Sequence, residues 1–390
     1  MRRDTAVPGR KRNAGPGRAR KIEPASTPPG DSRSLAALRA EIDRVDREIL
    51  TWLNRRAELA RQIGEKKASA RLGAFAPERE KKILARLAEE NPGPLRPEMV
   101  RAIFRQIIAS CRSLEQPLRV AYLGPEGTFS HRAAYEQFGA ASELVPVDSI
   151  EAVFDEVEHG RADYGVVPVE NSTHGVVAAT LDRFVPSEVT IRAERLFAIR
   201  LLLLSRSGLP ERVRRIVSME QPLAQCRRWL AEHFPGVPVE PVASTAVAAS
   251  LAARDDRVAA VAGELAAELY GLRVVAEAIQ DEARNVTRFL VIGRDGIGPR
   301  SGDDKTTLLF LVRHEAGALE RVLRPFARAG VNLLSLESRP LRGRPWEYVF
   351  FLDVEGHVSE PRLSRVLRRL EPACVSLRVL GSYPVSRVIE

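Results

Sequence analysis

The sequence predicts a multidomain chain: an all-α three-helix segment, a two-lobed α/β region, and an α+β segment of ferredoxin-like order. Three observations carry this. At 390 residues the chain exceeds one compact core and suffices for two or three domains. Its apolar spacing changes twice, from an alternating three-four repeat to strand–helix alternation, then to strand, helix, strand, strand, helix, strand. Breaks rich in proline, glycine, serine or aspartate fall at these changes, at Glu115-Gln-Pro and across 293–304.

The first segment, 34–116, opens with Ser34 as a helix cap. Leu35, Leu38, Ile42, Val45, Ile49, Trp52, Leu59 and Ile63 then follow one apolar seam. Gly73 and Pro77 interrupt it. A second helix is predicted from about Glu78 to Glu90, ended by Asn91-Pro-Gly-Pro, and a third from about Pro97 to Leu114. Three such helices make too thin a bundle alone, so pairing with a second copy is expected. At position 56 the seam calls for an apolar residue and the sequence supplies Arg56. Lys67, three helical turns on, shares that face, whereas Arg39 lies about 100° away around the helix. A cation in an apolar seam needs an anion. The spacing alone leaves open an ion pair with a neighbouring glutamate, an arginine snorkelling at the seam's edge, or a bound anion.

In the second segment, 118–294, Arg119-Val-Ala-Tyr-Leu-Gly124 reads as a strand. The turn Pro125-Glu-Gly-Thr-Phe-Ser-His131 and a helix through Phe138 follow. A glycine-containing turn there aims backbone N–H groups at an anion, but its GxxG spacing without a lysine is neither a dinucleotide fingerprint nor a P-loop. Tyr164-Gly-Val-Val-Pro-Val169 is an apolar strand ending in Glu170-Asn171-Ser172-Thr173, a massing of polar residues that suggests a cleft lining. Strands are predicted near 198–205, 213–218, 258–262 and 288–292, and helices near 222–233, 244–254 and 263–269, giving two lobes with a cleft between. The third segment, 305–384, has strands at 306–313, 331–338, 347–354 and 376–380 and helices at 317–329 and 360–370. That topology fixes no ligand.

Bulk properties narrow the function. The net charge of +9 suggests nucleic acid, but +6 of it sits in residues 1–30, so 1–33 reads as a disordered basic tail and no nucleic-acid partner is expected. Were the tail a nucleic-acid site, binding would be strongly salt-dependent and would vanish on deleting it. No secretory h-region is present, and the most apolar run, Leu196 to Leu204, is broken by Arg200 and far too short to span a membrane. Cys111, Cys226 and Cys374 are scattered and the histidines lack metal-ligand spacing. A cytoplasmic protein without metal or cofactor is the expectation.

Five motifs identify a family. Tyr122-Leu-Gly-Pro-Glu-Gly-Thr-Phe-Ser-His131, Pro168-Val-Glu-Asn-Ser172 and Thr287-Arg288-Phe289 look like the prephenate dehydratase signature. Gly317-Ala-Leu319 and Glu337-Ser-Arg-Pro340 resemble the phenylalanine-binding motifs of ACT domains fused to these enzymes. From about Leu35 to Tyr383 the chain resembles the bifunctional chorismate mutase–prephenate dehydratases. The resemblance implies a dimeric helical mutase bundle, a periplasmic-binding-like dehydratase and an ACT regulatory domain, with chorismate and prephenate as substrates, phenylalanine as allosteric ligand, and a homodimer or higher homo-oligomer.

Site residues follow by similarity. The mutase reaction is pericyclic, so cations that hold two carboxylates and a donor at the ether oxygen suffice. Arg56 and Arg39 would clamp carboxylates, Arg39 reaching into the partner subunit's site; Lys67 would contact the ether oxygen and Glu80 the ring hydroxyl, with Arg79 orienting Glu80. Ala76 stands where many relatives carry aspartate, and Cys111 and Glu115 where many carry serine and glutamine. Burial beside an anionic ligand favours a neutral carboxyl, so Glu115 is expected to donate as an acid; a solvated helix end is its structural alternative. In the dehydratase, Thr287 would meet the departing hydroxyl, Arg288 a carboxylate, and Glu170 is conjectured as acid. Asn171, Ser172, Ser218, Gln225, Ser244 and Thr245 are hydrogen-bonding residues at matching positions, although Ser244 would equally serve as a helix cap. Gly317, Ala318 and Leu319, with Glu337 and Ser338 across a dimer interface, would bind phenylalanine. Two rivals remain: an arogenate or prephenate dehydratase with weak or absent mutase activity, and a non-catalytic amino-acid sensor.

Overall fold

The computed structural model describes residues 34–69, 73, 75–282, 284–341 and 347–389. The basic tail lies outside them. Ser34 caps α1 (Leu35–Ser69), as its Oγ accepts from the Ala37 N–H. The chain divides within this helix into two compact units, the first ending at Trp52 and the second running from Leu53. In the first unit the apolar seam is open to solvent: Leu35 is 64% and Trp52 72% exposed. In the second, Leu59 and Ile63 continue it, also exposed.

Proline at their first positions starts α2 (Pro77–Glu89) and α3 (Pro97–Glu115). These helices pack on each other and on the α/β region. Phe75 packs against the rings of both Phe138 and Tyr164, with centroids 5.1 and 5.2 Å away, and those two rings stack on each other at 5.6 Å. Arg112, 5% exposed, donates to the carbonyls of Gln137 and Phe138 and pairs with Glu80 at 3.3 Å. The expected thin bundle is thus partly completed by the chain's own dehydratase region.

The first lobe runs β1 (Arg119–Leu123), α4 (Phe129–Phe138), β2 (Glu143–Val147), α5 (Ile150–Glu158), β3 (Tyr164–Asn171), β4 (Gly175–Val176), α6 (Ala178–Phe184) and β5 (Thr190–Ala198). The chain then crosses to the second lobe: β6 (Leu202–Ser205), β7 (Arg215–Ser218), α7 (Glu220–Gln225), α8 (Arg227–His233), β8 (Val239–Pro241), α9 (Thr245–Arg254), β9 (Val258–Ala262), α10 (Glu264–Tyr270) and β10 (Arg273–Ala276). It returns through β11 (Val286–Gly293), which inserts antiparallel between β3 and β5. Two crossings between two sheets make the two-lobed form.

The predicted strand at 198–205 is in fact the end of β5 and all of β6, separated where the chain changes lobe. The helix expected at 222–233 is two short helices meeting at Cys226. Strand β3 extends to Asn171, beyond its apolar run, because Glu170 and Asn171 still pair with Arg288 and Thr287 of β11.

The last segment comprises β12 (Asp304–Leu311), α11 (Ala318–Ala329), β13 (Leu333–Pro340), β14 (Tyr348–Glu355), α12 (Pro361–Leu370) and β15 (Ser376–Pro384), followed by β16 (Val388–Ile389), which pairs with β5. The four-stranded sheet has the order β13-β14-β12-β15. Strand alternation divides its residues. Leu308, Phe310, Leu352 and Val354 pack with the helices through Val322, Phe326, Leu363 and Leu370. Leu309, Val349 and Phe351 point the other way and share a core with Val167, Ile191 and Leu290 of the first lobe.

Backbones approach closely at that second contact. A Cβ on buried Gly381 of β15 would run into the carbonyl oxygen of Ile191 in β5. Gly381→Ala is therefore expected to destabilise the protein by about 1–3 kcal/mol, as overpacking does. Equilibrium urea unfolding measures it, and a midpoint equal to that of the wild type would contradict this packing.

Candidate active sites

In the second unit, Lys67 at the end of α1 pairs with Glu115 at the end of α3, Nζ to Oε2 at 2.8 Å, both largely shielded. Gly64 permits it: a Cβ there would lie 2.7 Å from the Glu115 Cα. Glu115 is thus no solvated helix end. Arg56 is half-buried and pairs with no described acidic residue of its own protomer. Cys111 is buried beside this face, Ala76 half-buried and Arg79 exposed. Glu80 departs from expectation. It is 6% exposed and held by Arg112, so it faces the dehydratase region rather than a ligand. The physical reason is local: Arg105, Arg112 and Arg195 crowd the same pocket, where desolvation pulls the Arg195 pKa down to about 10, and Glu80 opposes that shift. In the first unit Arg39 is exposed.

The dehydratase residues meet where β3 ends and β11 begins, beside the crossing between lobes. Asn171 Nδ2 donates to Thr287 Oγ1 and to Asn285 Oδ1, both at 2.8 Å. Asn285 Nδ2 donates to Gln225 Oε1 of the second lobe at 3.1 Å. Gln225 Nε2 lies 3.1 Å from His174 Nδ1, which is 3.2 Å from Asn171 Oδ1. Four side chains close a ring, and Thr287 hangs from one of them. Asn171 Oδ1 also accepts from the Thr173 and His174 N–H groups, which shapes the turn after β3. Ser172 Oγ accepts from the Val286 N–H and ties that turn to β11. A cavity of about 230 Å³ opens on the ring, lined among others by Thr173, His174, Gln225, Arg228 and Asn285.

Sequence reading missed His174, Asn285 and Arg228. His174 directly follows the polar run 170–173, and Asn285 lies two residues before Thr287, so proximity in sequence is the available signal.

Other expected residues stand apart from the ring. Ser218 is fully buried, its hydroxyl donating to the Val261 carbonyl at 2.5 Å. Ser244 caps α9, accepting from the Val247 N–H, and Thr245 is buried beside it. Two expectations are corrected. Arg288 and Glu170 do not reach the cleft, because successive strand residues face opposite ways and Thr287 and Asn171 hold the cleft side. Arg288 points to the C-terminal sheet, where it pairs with Asp353 at 2.6 Å and Glu194 at 2.9 Å and reaches the Tyr383 hydroxyl at 2.9 Å. Glu170 lies 3.9 Å from it on the same side. Burial works against the Arg288 charge, and Tyr383, Asp353 and Glu194 more than offset that, holding its pKa above the ordinary arginine value.

In the C-terminal segment Gly317 adopts φ +75° as it starts α11, a conformation that favours glycine. Ala318 is buried and Leu319 half-buried. Glu337 and Ser338 are exposed on edge strand β13, next to Arg339, which makes a bidentate pair with Asp182 of α6 at 3.0 and 3.1 Å. Among the described residues no cluster of His, Cys, Asp and Glu suited to a metal ion occurs, and no helix is long and apolar enough to cross a membrane.

Family models match three stretches in order: chorismate mutase type II at 38–116, prephenate dehydratase at 120–297 and the ACT domain at 306–372. The chain is 49% identical over 354 residues to the bifunctional chorismate mutase/prephenate dehydratase of Aquifex aeolicus (strain VF5), spanning 90% of this chain and 98% of that relative. Among solved structures, prephenate dehydratase from Arthrobacter aurescens in complex with L-Phe is similar at 36% identity and a TM-score of 0.64, over 69% of this chain and 90% of the other. A structure described as GqqA, a novel type of quorum quenching acylase, is similar at 32% identity and a TM-score of 0.64, over 69% of this chain and 98% of its own. Those two structural matches leave much of the chain uncovered, whereas the Aquifex relative extends across nearly all of it. With all three segments matched in order, the chain belongs to the family of bifunctional chorismate mutase/prephenate dehydratases, enzymes that join an isomerase and a lyase on one polypeptide.

Proposed function

We propose that this enzyme rearranges chorismate to prephenate, converts prephenate to phenylpyruvate, and is feedback-inhibited by phenylalanine through its ACT domain. The observation that carries the dehydratase half is the ring of Asn171, Asn285, Gln225 and His174 with Thr287 hydrogen-bonded to it, open to a cavity at the junction of the lobes. Fixed donors at a lobe junction orient a small polar substrate, and the gain of aromaticity drives loss of CO2 once the hydroxyl can leave. Thr287 would meet that hydroxyl. Neutral donors such as Asn171 and Gln225 and the nearby cation Arg228 would receive the carboxylates.

For the mutase half, support comes from Lys67 and Glu115, 2.8 Å apart, with half-buried Arg56 three turns earlier on the same helix. Lys67 would donate to the breaking ether bond, with Glu115 holding its ammonium in place, while Arg56 and Arg39 hold carboxylates. The exposed apolar residues of α1 favour a second copy of the chain as the cover for this face, which would bring Arg39 of one protomer to the site of the other. Leu333, Leu334 and Leu336 on edge strand β13 are likewise exposed and suit a second subunit contact. Phenylalanine would bind at Gly317, Ala318 and Leu319, with Glu337 and Ser338 supplied across that contact; the Arthrobacter relative was solved in complex with L-Phe.

Three outcomes test this reading. Thr287→Ala should lower phenylpyruvate formation from prephenate by about 100-fold or more while mutase turnover is kept; retained dehydratase activity would reject the assignment. Lys67→Ala should lower mutase turnover by about 100-fold or more while dehydratase activity is kept. Retained mutase turnover would exclude Lys67 as donor. Phenylalanine should slow the dehydratase and, at about 100 times its Kd, raise stability by about 2.7 kcal/mol. If neither quantity moves in a coupled assay and a thermal melt, the regulatory reading is wrong.

A further inference from the structure

The geometry points to His174 as the acid that protonates the departing hydroxyl of prephenate. This rests on the dehydratase reading of the cleft and adds the group that reading lacks. Thr287 is a poor source of a proton: it is an alcohol, and its oxygen already accepts from Asn171 Nδ2 at 2.8 Å. Glu170 is removed by its place on the other side of the sheet with Arg288. Among the ring's members His174 alone has an ionisable side chain. It is exposed and lines the cavity.

Its hydrogen bonding suits both protonation states. Nδ1 lies between an acceptor, Asn171 Oδ1 at 3.2 Å, and a donor, Gln225 Nε2 at 3.1 Å. The imidazolium donates from Nδ1 to Asn171, and the neutral ring left once Nε2 gives up its proton keeps its hydrogen on Nδ1 and the same bond. In either state Nδ1 has a partner in the ring, and Nε2 makes no hydrogen bond to a described residue, so it is left for a molecule in the cavity. The charged groups facing His174 across the cavity are Arg228 of α8 and Asp281 and Glu282 of the loop before β11, and Asp281 is engaged by the N–H groups of Arg228 and Trp229.

The step balances without an added reagent. The bond from the ring carbon to its carboxylate breaks, CO2 leaves, and that electron pair enters the ring. The opposite ring carbon loses its hydroxyl with the C–O pair, and the oxygen takes the Nε2 proton of His174 to depart as water. Neutral His174 then recovers a proton from solvent.

The test follows phenylpyruvate formation from prephenate by the full-length protein between pH 5 and 9, with mutase turnover measured alongside. His174→Gln keeps a polar side chain that cannot carry the proton. The wild-type rate should fall at alkaline pH; His174→Gln should lower dehydratase kcat by about 100-fold, with KM little changed, and abolish that fall. In His174→Ala, added imidazole should restore part of the rate, following the protonated fraction of imidazole. A wild-type rate in His174→Gln would overturn the inference. So would a reduced rate with the alkaline fall kept in place and no rescue by imidazole, the signature of a purely structural role. If the wild type itself forms no phenylpyruvate, the reading of the cleft fails first.

Discussion

The architecture of the dehydratase and ACT segments depends on one constraint, the two-residue alternation of β11 between β3 and β5. Thr287 and Arg288 are neighbours in sequence and work on opposite sides of one sheet. The threonine faces the crossing between lobes and hangs from Asn171; the arginine enters the contact with the C-terminal sheet and gathers Glu194 and Asp353. A slip of one residue in this strand would exchange them, placing a cation in the cleft and taking Arg288 from buried Asp353 and from Glu194, which would keep Lys305. The short motif therefore encodes a register as much as a reaction.

Arginines also hold the other junctions. Arg112 joins α2 and α3 to the end of α4, between Glu80 and two backbone carbonyls and 5.3 and 5.5 Å from the Phe75 and Phe138 rings. Arg339 joins β13 to α6 through Asp182. The planar guanidinium presents several donors at once, so a single side chain can satisfy a carboxylate and backbone carbonyls together. A buried pair such as Arg112–Glu80 adds little net stability over apolar packing, but removing one partner costs about 3–5 kcal/mol. The use of arginine pairs at each junction fixes how the segments fit. The Arg339–Asp182 pair ties the strand that carries Glu337 and Ser338 to the helix following β4, two elements beyond Asn171.

In the mutase segment, the residues that suit the chemistry and those that suit the fold separate along the helices. Lys67 and Glu115 meet across α1 and α3, with Gly64 allowing the approach. Glu80 instead serves the junction with the dehydratase region. One segment thus answers two demands, a polar pocket and a docking surface, by assigning them to different faces.

Much of this was legible in the residues themselves. Helical spacing from Leu35 to Ile63, the proline starts of α2 and α3, and the alternating strands of the C-terminal segment are local properties, set by side-chain periodicity and by what proline and glycine allow, and they read directly as elements. The motifs around Asn171 and Thr287 likewise named two residues that do meet. Long-range pairing was not legible. The sequence could not say that β3 continues through Glu170 and Asn171, since neither residue favours a strand and only pairing with β11 holds them there. Nor could it say that Arg288 turns from the cleft, that Glu80 is claimed by Arg112, or that His174 and Asn285, 111 residues apart in number, close a ring through Gln225. What the sequence determined alone was which elements form and which chemical groups are present. The tertiary structure decided which side of a sheet each group serves, because that choice depends on partners far along the chain.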